Sequence, residues 1–549
     1  MREECVSLLP VCHDSLAITN LDQNNKKEYG IVMAQFIKLF AYMAHVFGEG
    51  CTGLYFQFFA LGIANGSIGL VPSMCYNIFH GSGNTCATAV DLITFPGLFK
   101  CFLAVMMDLY SPFGKGLKAW MVIGWIGVLS MLLQLALFSN LMSVDVWIVT
   151  LMVLNLFLNI ATVPLDGLSV QLSQSEPVRG TTITKCVTMR YAGATFVTFL
   201  NTVLFNSQAT NYPNCPIGIF DCWNWGLHTN GYYFMLFLVL SIVLFPSYWT
   251  QTGVHHPHFK NFSTFTVGAV QVLQNCAFTF LAINVVFFNV FFIPNMTYFP
   301  FEYQILSFSN VVAGINNILE LGCVTLTVLF FRKFLLHYNW RITLYCSISV
   351  YLLLGFVWIP AFYDLGGTRN RWFAVFLDWG DACVIGFYDV IMSLVVVEIA
   401  IKGLEATTFE VTSTLQLAAF SITSLLGTQL LGLFKAESCN GNDYSDCINV
   451  TDVSGYLTSN GPYLYTRYSI ILILIGAFAL VAFTPFLPSS VAECHARKEW
   501  GNNIGWKRAR VGATLTLVGC MVIYALVTGA LLLNSSTACL KFVGGSGCD

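Results

Sequence analysis

A succession of apolar runs, each long enough to cross a hydrocarbon core of about 30 Å, constrains this chain more than any other feature. In such a solvent the backbone must bond within itself, so the runs read as helices. Hydropathy places them near 33–62, 86–107, 119–139, 147–168, 184–205, 231–249, 264–292, 304–331, 341–363, 372–399, 408–433, 466–488 and 511–533. The expected fold is an all-α polytopic membrane protein of 6+6 helices plus one additional C-terminal helix. Composition agrees: 56% of the 549 residues are hydrophobic and 10% charged, against roughly 25% charged in a soluble domain. Mean hydropathy is +0.69. The net charge of −3 offers no attraction to nucleic acid.

Residues 1–30 are polar, carry Asp14, Asp22, Lys26, Lys27 and Glu28, and are not read as a signal peptide. Orientation follows from the loops, because Lys and Arg collect on the cytoplasmic side. With the N-terminus inside, cytoplasmic segments hold 17 basic residues, among them Lys26, Lys115, Lys118, Arg332, Lys333 and Arg497, and the opposite segments hold 5. Of the sequons, Asn65, Asn295, Asn449 and Asn534 fall outside or at the outer boundary and Asn261 falls inside, so a glycoprotein is expected. The close pairs Cys75/Cys86, Cys215/Cys222, Cys439/Cys447 and Cys539/Cys548 occupy outer segments, where an oxidising compartment permits disulfides. Cys101, Cys186, Cys276, Cys323, Cys346 and Cys383 read as small apolar residues within helices.

The organisation divides into a cytoplasmic segment (1–32), a six-helix half (33–249), a linker (250–263), a second six-helix half (264–488), and a loop, thirteenth helix and outer tail (489–549). Two such halves around a central cavity suit a carrier with its site near mid-membrane. The linker's His255, His256 and His258 lack a Cys or carboxylate at ligand spacing and read as solvated rather than metal-binding.

Ionisable residues inside spans carry the function, since a charge at mid-bilayer persists only where it meets a cavity or a partner. The span 86–107 carries Asp91 and Lys100, with Asp108 at its end. Lys100 is the deep one, and Asp108 reads as a clamp on the following loop. Arg190 offers a planar fork suited to a carboxylate, or alternatively an ion pair with the other half. On 372–399, Asp378, Asp381 and Asp389 share roughly an 80° arc, a pattern that suits reversible protonation, while Glu398 points away. Glu320 stands beside Asn316 and Asn317, and Gln271, Gln274, Asn275 and Asn289 share a helical face. Such amides bond a polar ligand or a neighbouring helix.

The stretch FPGLFKCFLAVMMDLYSPFG, with Pro96-x3-Lys100-x7-Asp108, resembles the second-helix signature of the folate-biopterin transporter family. Gly180-x9-Arg190-x2-Gly193, Gly380-Asp381 and the Gly-x-Glu-Ala-Thr run Gly403–Thr407, with Glu405 at its centre, are similar to further family motifs. The resemblance spans roughly residues 40–488. It implies a major facilitator fold and import of folates, pteridines or related solutes, and it makes Pro96, Asp108, Gly180, Gly380, Gly403 and Glu405 motif positions.

The expected function is secondary active uptake by alternating access in the plasma membrane, coupled to protons. Lys100, Arg190, Glu320, Gln274 and Asn275 are the expected substrate groups, and Asp381, Asp389 and Asp378 the coupling groups. The alternatives are carriage of another polar metabolite such as S-adenosylmethionine, or a receptor that binds without transport. No nucleophilic triad or His-Glu-x-x-His helix supports an enzyme, and no cofactor or metal is implied.

Overall fold

The computed structural model describes residues 52–71, 74–75, 89, 92–110, 112–114, 116–175, 180–204, 229–245, 262–291, 310–336, 338–363, 365–368, 370–432, 474, 477–478, 480–482, 484–487 and 504–533. In chain order the helices are α1 (Thr52–Ile68), α2 (Lys100–Leu109), α3 (Leu117–Phe138), α4 (Val144–Ser175), α5 (Thr181–Leu204) and α6 (Thr229–Leu244). They continue as α7 (Phe262–Leu273), α8 (Cys276–Phe291), α9 (Asn310–Phe330), α10 (Trp340–Tyr363), α11 (Arg371–Ile399), α12 (Glu405–Gly432) and α13 (Ile504–Leu533). No strand occurs among the described residues. Among the described residues six stretches, within α2 with its lead-in turn, α3, α4, α10, α11 and α13, are each long and apolar enough to cross a bilayer, and the bent pair α7/α8 makes a seventh if counted as one span. The chain is an integral membrane protein. Helices α1, α5, α6, α9 and α12 are not among those stretches; of these, α5 carries Arg190, α9 Glu320 and α12 Glu410.

Two differences from the expected spans have local causes. Span 86–107 is composite: a 3₁₀ turn at Phe95–Phe99, opened by Pro96, leads directly into α2 at Lys100. Proline suits a first helical turn, where its missing N–H goes unneeded. Span 264–292 is two helices meeting at 66°. At the break the Asn275 side chain accepts the Ala277 amide at 3.0 Å and starts α8 as an N-cap, which continuous apolarity concealed.

Packing forms two large cores. One gathers buried residues from Leu54 to Val243, and the other is built chiefly from Phe265 to Leu487. Without a hydrophobic drive between helices in lipid, small residues set how closely backbones approach. A Cβ on Gly62 would lie 1.9 Å from the Arg190 carbonyl oxygen, and one on Gly193 would lie 2.1 Å from that of Phe59. These two glycines fix α1 against α5 and so fix the depth of Arg190. Helix α13 crosses between the cores: Val522 and Ala525 pack with Leu98 of the 3₁₀ turn and Ala418 of α12.

The cores interlock at the end that carries Lys118, Lys185, Arg332, Lys333 and Lys402. Ala406, at the start of α12, is buried in the N-terminal core and approaches Gly167 of α4. The Gln174 amide donates to the Val397 and Ala400 carbonyls at 2.7 and 2.9 Å, satisfying the open end of α11. Asp108 accepts the Thr407 amide at 2.9 Å and its hydroxyl at 2.6 Å. Leu404, at the N-cap position of α12, has no side-chain acceptor to offer, and Asp108 supplies one from the other core. Asp108 is therefore not a clamp on its own loop, as the sequence suggested, but a cap across the interface.

Among the described cysteines, Cys75 is disulfide-bonded, while Cys101, Cys186, Cys323, Cys346, Cys383 and Cys520 form no disulfide. The N-terminal segment, Asp91, Lys115, the His255–His258 cluster, the sequons other than Asn65 and the other paired cysteines lie outside the described residues.

Candidate functional site

Between the two cores lies a cavity of about 350 Å³, within the size range of small-molecule sites. From the N-terminal side it is lined by Phe58, Lys100, Asp166, Arg190 and Tyr191, among others. The C-terminal side contributes Asn289, Asp389, Ser393, Thr412, Ser413 and Gln416. Aromatic walls come from Phe58, Phe409 and Phe420.

Lys100 owes its place to the turn before it. Gly97 lets the 3₁₀ segment approach α12, since a Cβ there would meet the Leu417 side chain at 2.8 Å. The Cys101 amide then donates to Thr414 Oγ1 at 3.2 Å. Lys100 so begins α2 facing the cavity, its backbone N–H bonded to the Gly97 carbonyl, and among the described residues its side chain has neither an ion pair nor a hydrogen bond.

Arg190 is held differently. Its Nη2 meets Asp166 Oδ1 of α4 at 2.7 Å, and its guanidinium lies 5.2 Å from the Phe58 ring centroid. The pair lies within the N-terminal helices, not across the halves as the alternative reading had it. Arg190 Nε has no partner, so the fork retains a free donor. On the next residue the Tyr191 hydroxyl donates to Asp389 Oδ2, a bond across the cavity between α5 and α11. Gln416 lies alongside the same carboxylate.

The expected site residues separate into groups. Lys100, Arg190 and Asp389 meet at the cavity. Asp378, Asp381 and Glu320 do not line it: Asp378 accepts the Asn316 amide at 2.8 Å, and Asp381 and Glu320 belong to the same cluster between α9 and α11. Gln274 and Asn275 sit at the α7/α8 break and do not line the cavity either. The motif glycines stand at left-handed turns or close approaches. Gly180 has φ +86° and a Cβ there would meet Leu394 at 2.2 Å, while Gly403 has φ +88° and donates its N–H to Glu405 at 2.8 Å. Gly380 packs against Leu354.

Sequence reasoning passed over Asp166, Tyr191 and Glu410. Asp166 lies inside an expected span two residues after Pro164, and Glu410 lies inside another. The rule that singled out Lys100 applies equally to both. Among the described residues no group of three or more His, Cys, Asp or Glu is arranged to hold a metal ion.

No family model and no curated protein matches this sequence. Solved structures do. A bacterial homologue of the human lysosomal transporter Spinster, in an inward-facing unoccupied conformation, aligns with TM-score 0.51 and 14% identity over 82% of this chain and 98% of its own. A bacterial homologue of the iron transporter ferroportin, outward-facing, gives 0.53 at 11% identity over 79% and 99%. A D-xylose-proton symporter gives 0.50 at 12% identity over 80% and 97%. These neighbours are major facilitator transporters, and the chain has the major facilitator fold.

Proposed function

We propose that the protein is a secondary active transporter that moves an anionic, flat-ringed solute of the folate or pteridine type by alternating access. One observation carries this reading: Lys100 presents an unpartnered ammonium to a cavity between the two cores, beside the half-satisfied fork of Arg190. An uncompensated cation in a membrane interior is costly, and an arriving anion removes that cost. A carboxylate tail bonds Lys100 and Arg190, and the flat ring lies among Phe58, Phe409 and Phe420, with Asn289 and Gln416 for its polar edge. Alternating access is supported by the contacts at the basic end, where Asp108 and Gln174 join the cores through hydrogen bonds that can be broken and remade.

Proton coupling belongs to the same proposal. Asp389 is the carboxylate of α11 that reaches the cavity, and its bond to Tyr191 ties α11 to α5. Loss of that bond on protonation gives the halves a reason to rearrange. Residence in the plasma membrane and inward symport complete the reading.

The test is uptake of labelled folate, biopterin and S-adenosylmethionine into proteoliposomes with and without an inward proton gradient. Folate or biopterin accumulates when the gradient is imposed, and Lys100→Ala raises KM by roughly 10- to 100-fold, the loss of one charge-assisted hydrogen bond. Binding without flux identifies a receptor and overturns the proposal; uptake of S-adenosylmethionine alone overturns the substrate class.

A further inference from the structure

Behind the cavity wall, Glu410 of α12 is fully buried and neither of its carboxylate oxygens has a hydrogen-bond donor. Its charged neighbours are Lys100 of α2, Asp166 of α4 and Arg190 of α5, with Cys101 of α2 also in range. Of the other helices packed on α12, α11 brings Asp389, which is bonded to Tyr191, and the described ionisable side chains of α13 are Arg508 and Arg510 in its first two turns and Cys520 and Tyr524 farther along. From 277 to 291, α8 has no titratable residue.

Two groups of opposite chemistry thus lie near each other: the Cys101 amide bonds Thr414, one turn after Glu410 on α12, which brings Lys100 to the same level, and although the Glu410 carboxyl lies against that of Asp166, no donor reaches it. Asp166 already has Arg190. A buried carboxylate with both oxygens unsatisfied is tolerable only when it holds a proton or when a cation is brought to it. Lysine's flexible four-carbon stem lets its ammonium turn from the cavity to the wall without any movement of the helices.

We infer that Glu410 is the proton-carrying partner of Lys100. With the proton on Glu410, the Lys100 ammonium is left to the cavity and its anion; once the proton departs to solvent, the ammonium is drawn back against Glu410. The inference rests on Lys100 as the anion-holding group and adds to it the step that makes solute binding conditional on a proton. It assigns to Glu410 a role separate from that of Asp389, which acts on Tyr191. Proton and solute then bind together because both compete with the same internal salt bridge, a linkage that acts equally in either direction.

The deciding measurement needs no substrate. Full-length protein in nanodiscs is treated with acetic anhydride across a pH series, and acetylation of Lys100 is followed by peptide mass spectrometry. In wild type the rate climbs with pH less steeply once Glu410 is ionised, because pairing withdraws the amine. Glu410→Gln follows the slope of a simple amine, reacting about tenfold faster than wild type at alkaline pH and equally at acid pH. Equal profiles in the two proteins overturn the inference, and if Glu410→Gln does not fold, a simple-amine slope in wild type alone overturns it. In proteoliposomes Glu410→Gln is then expected to exchange labelled folate yet fail to accumulate it on a proton gradient. Accumulation at the wild-type level overturns the coupling role. Failure of wild type to carry folate refutes the proposed substrate and leaves the acetylation result to decide Glu410.

Discussion

Replacing Asp108 by alanine removes the acceptor for two donors of Thr407 and opens the contact between the cores at the basic end. Asp108 is 1% exposed and Thr407 is 9% exposed, so water does not replace the lost acceptor while the contact stays closed. Hydrogen bonds to a charged acceptor contribute about 1.5–3 kcal/mol each, which sets a ceiling near 6 kcal/mol for the two. Alanine also removes the cost of burying a carboxylate, which brings the net loss to about 2–4 kcal/mol. That is a shift of roughly 30- to 900-fold toward the opened contact. Hydrogen exchange read by mass spectrometry on peptides covering 403–412 reports this directly, because the Thr407 amide is itself the donor. The first-turn amides of α12 are expected to exchange faster by about that factor, while peptides from the middle of α12 are unchanged. Asp108→Asn keeps an acceptor and falls between wild type and alanine. Unchanged exchange in Asp108→Ala would show that α12 is capped without Asp108 and that the inter-core contact rests elsewhere.

Asp166→Asn leaves Arg190 without its counter-ion and is expected to cost about 3–5 kcal/mol, read as a lowered melting temperature in detergent. The double replacement Asp166→Leu with Arg190→Met recovers much of that stability without recovering transport; failure to recover any would show that Lys100 and Glu410, and not Arg190 alone, depend on Asp166. Gly193→Ala forces a Cβ to within 2.1 Å of the Phe59 carbonyl and is expected to abolish folded protein, whereas Gly512→Ala, with nothing within 4 Å, leaves yield and melting unchanged. Asn275→Ala loses the cap of α8 and about 0.5–2 kcal/mol of stability with KM unaltered; a raised KM would return Asn275 to the solute site.

The sequence by itself determined the solvent, the helical character of the spans and which side chains are costly where they stand. These are local properties: an apolar run of about 20 residues is helical in lipid whatever surrounds it, and an intramembrane charge is conspicuous before its partner is known. What the sequence could not contain was the partner. Arg190 meets Asp166 at a separation of 24 residues, but Asp108 meets Thr407 across 299. Such pairs depend on which helices pack together, and close approaches such as Gly97 to Leu417 and Gly167 to Ala406 bring α12 to the N-terminal helices. Helical periodicity also fixes angle without assigning depth. Asp378 and Asp389 share a face, yet at 1.5 Å per residue they stand about 16 Å apart along α11. One therefore joins Asn316 between α9 and α11 while the other lines the cavity. The tertiary structure decided which of those equivalent-looking carboxylates has a cavity to serve, because only packing two cores against each other creates the space between them.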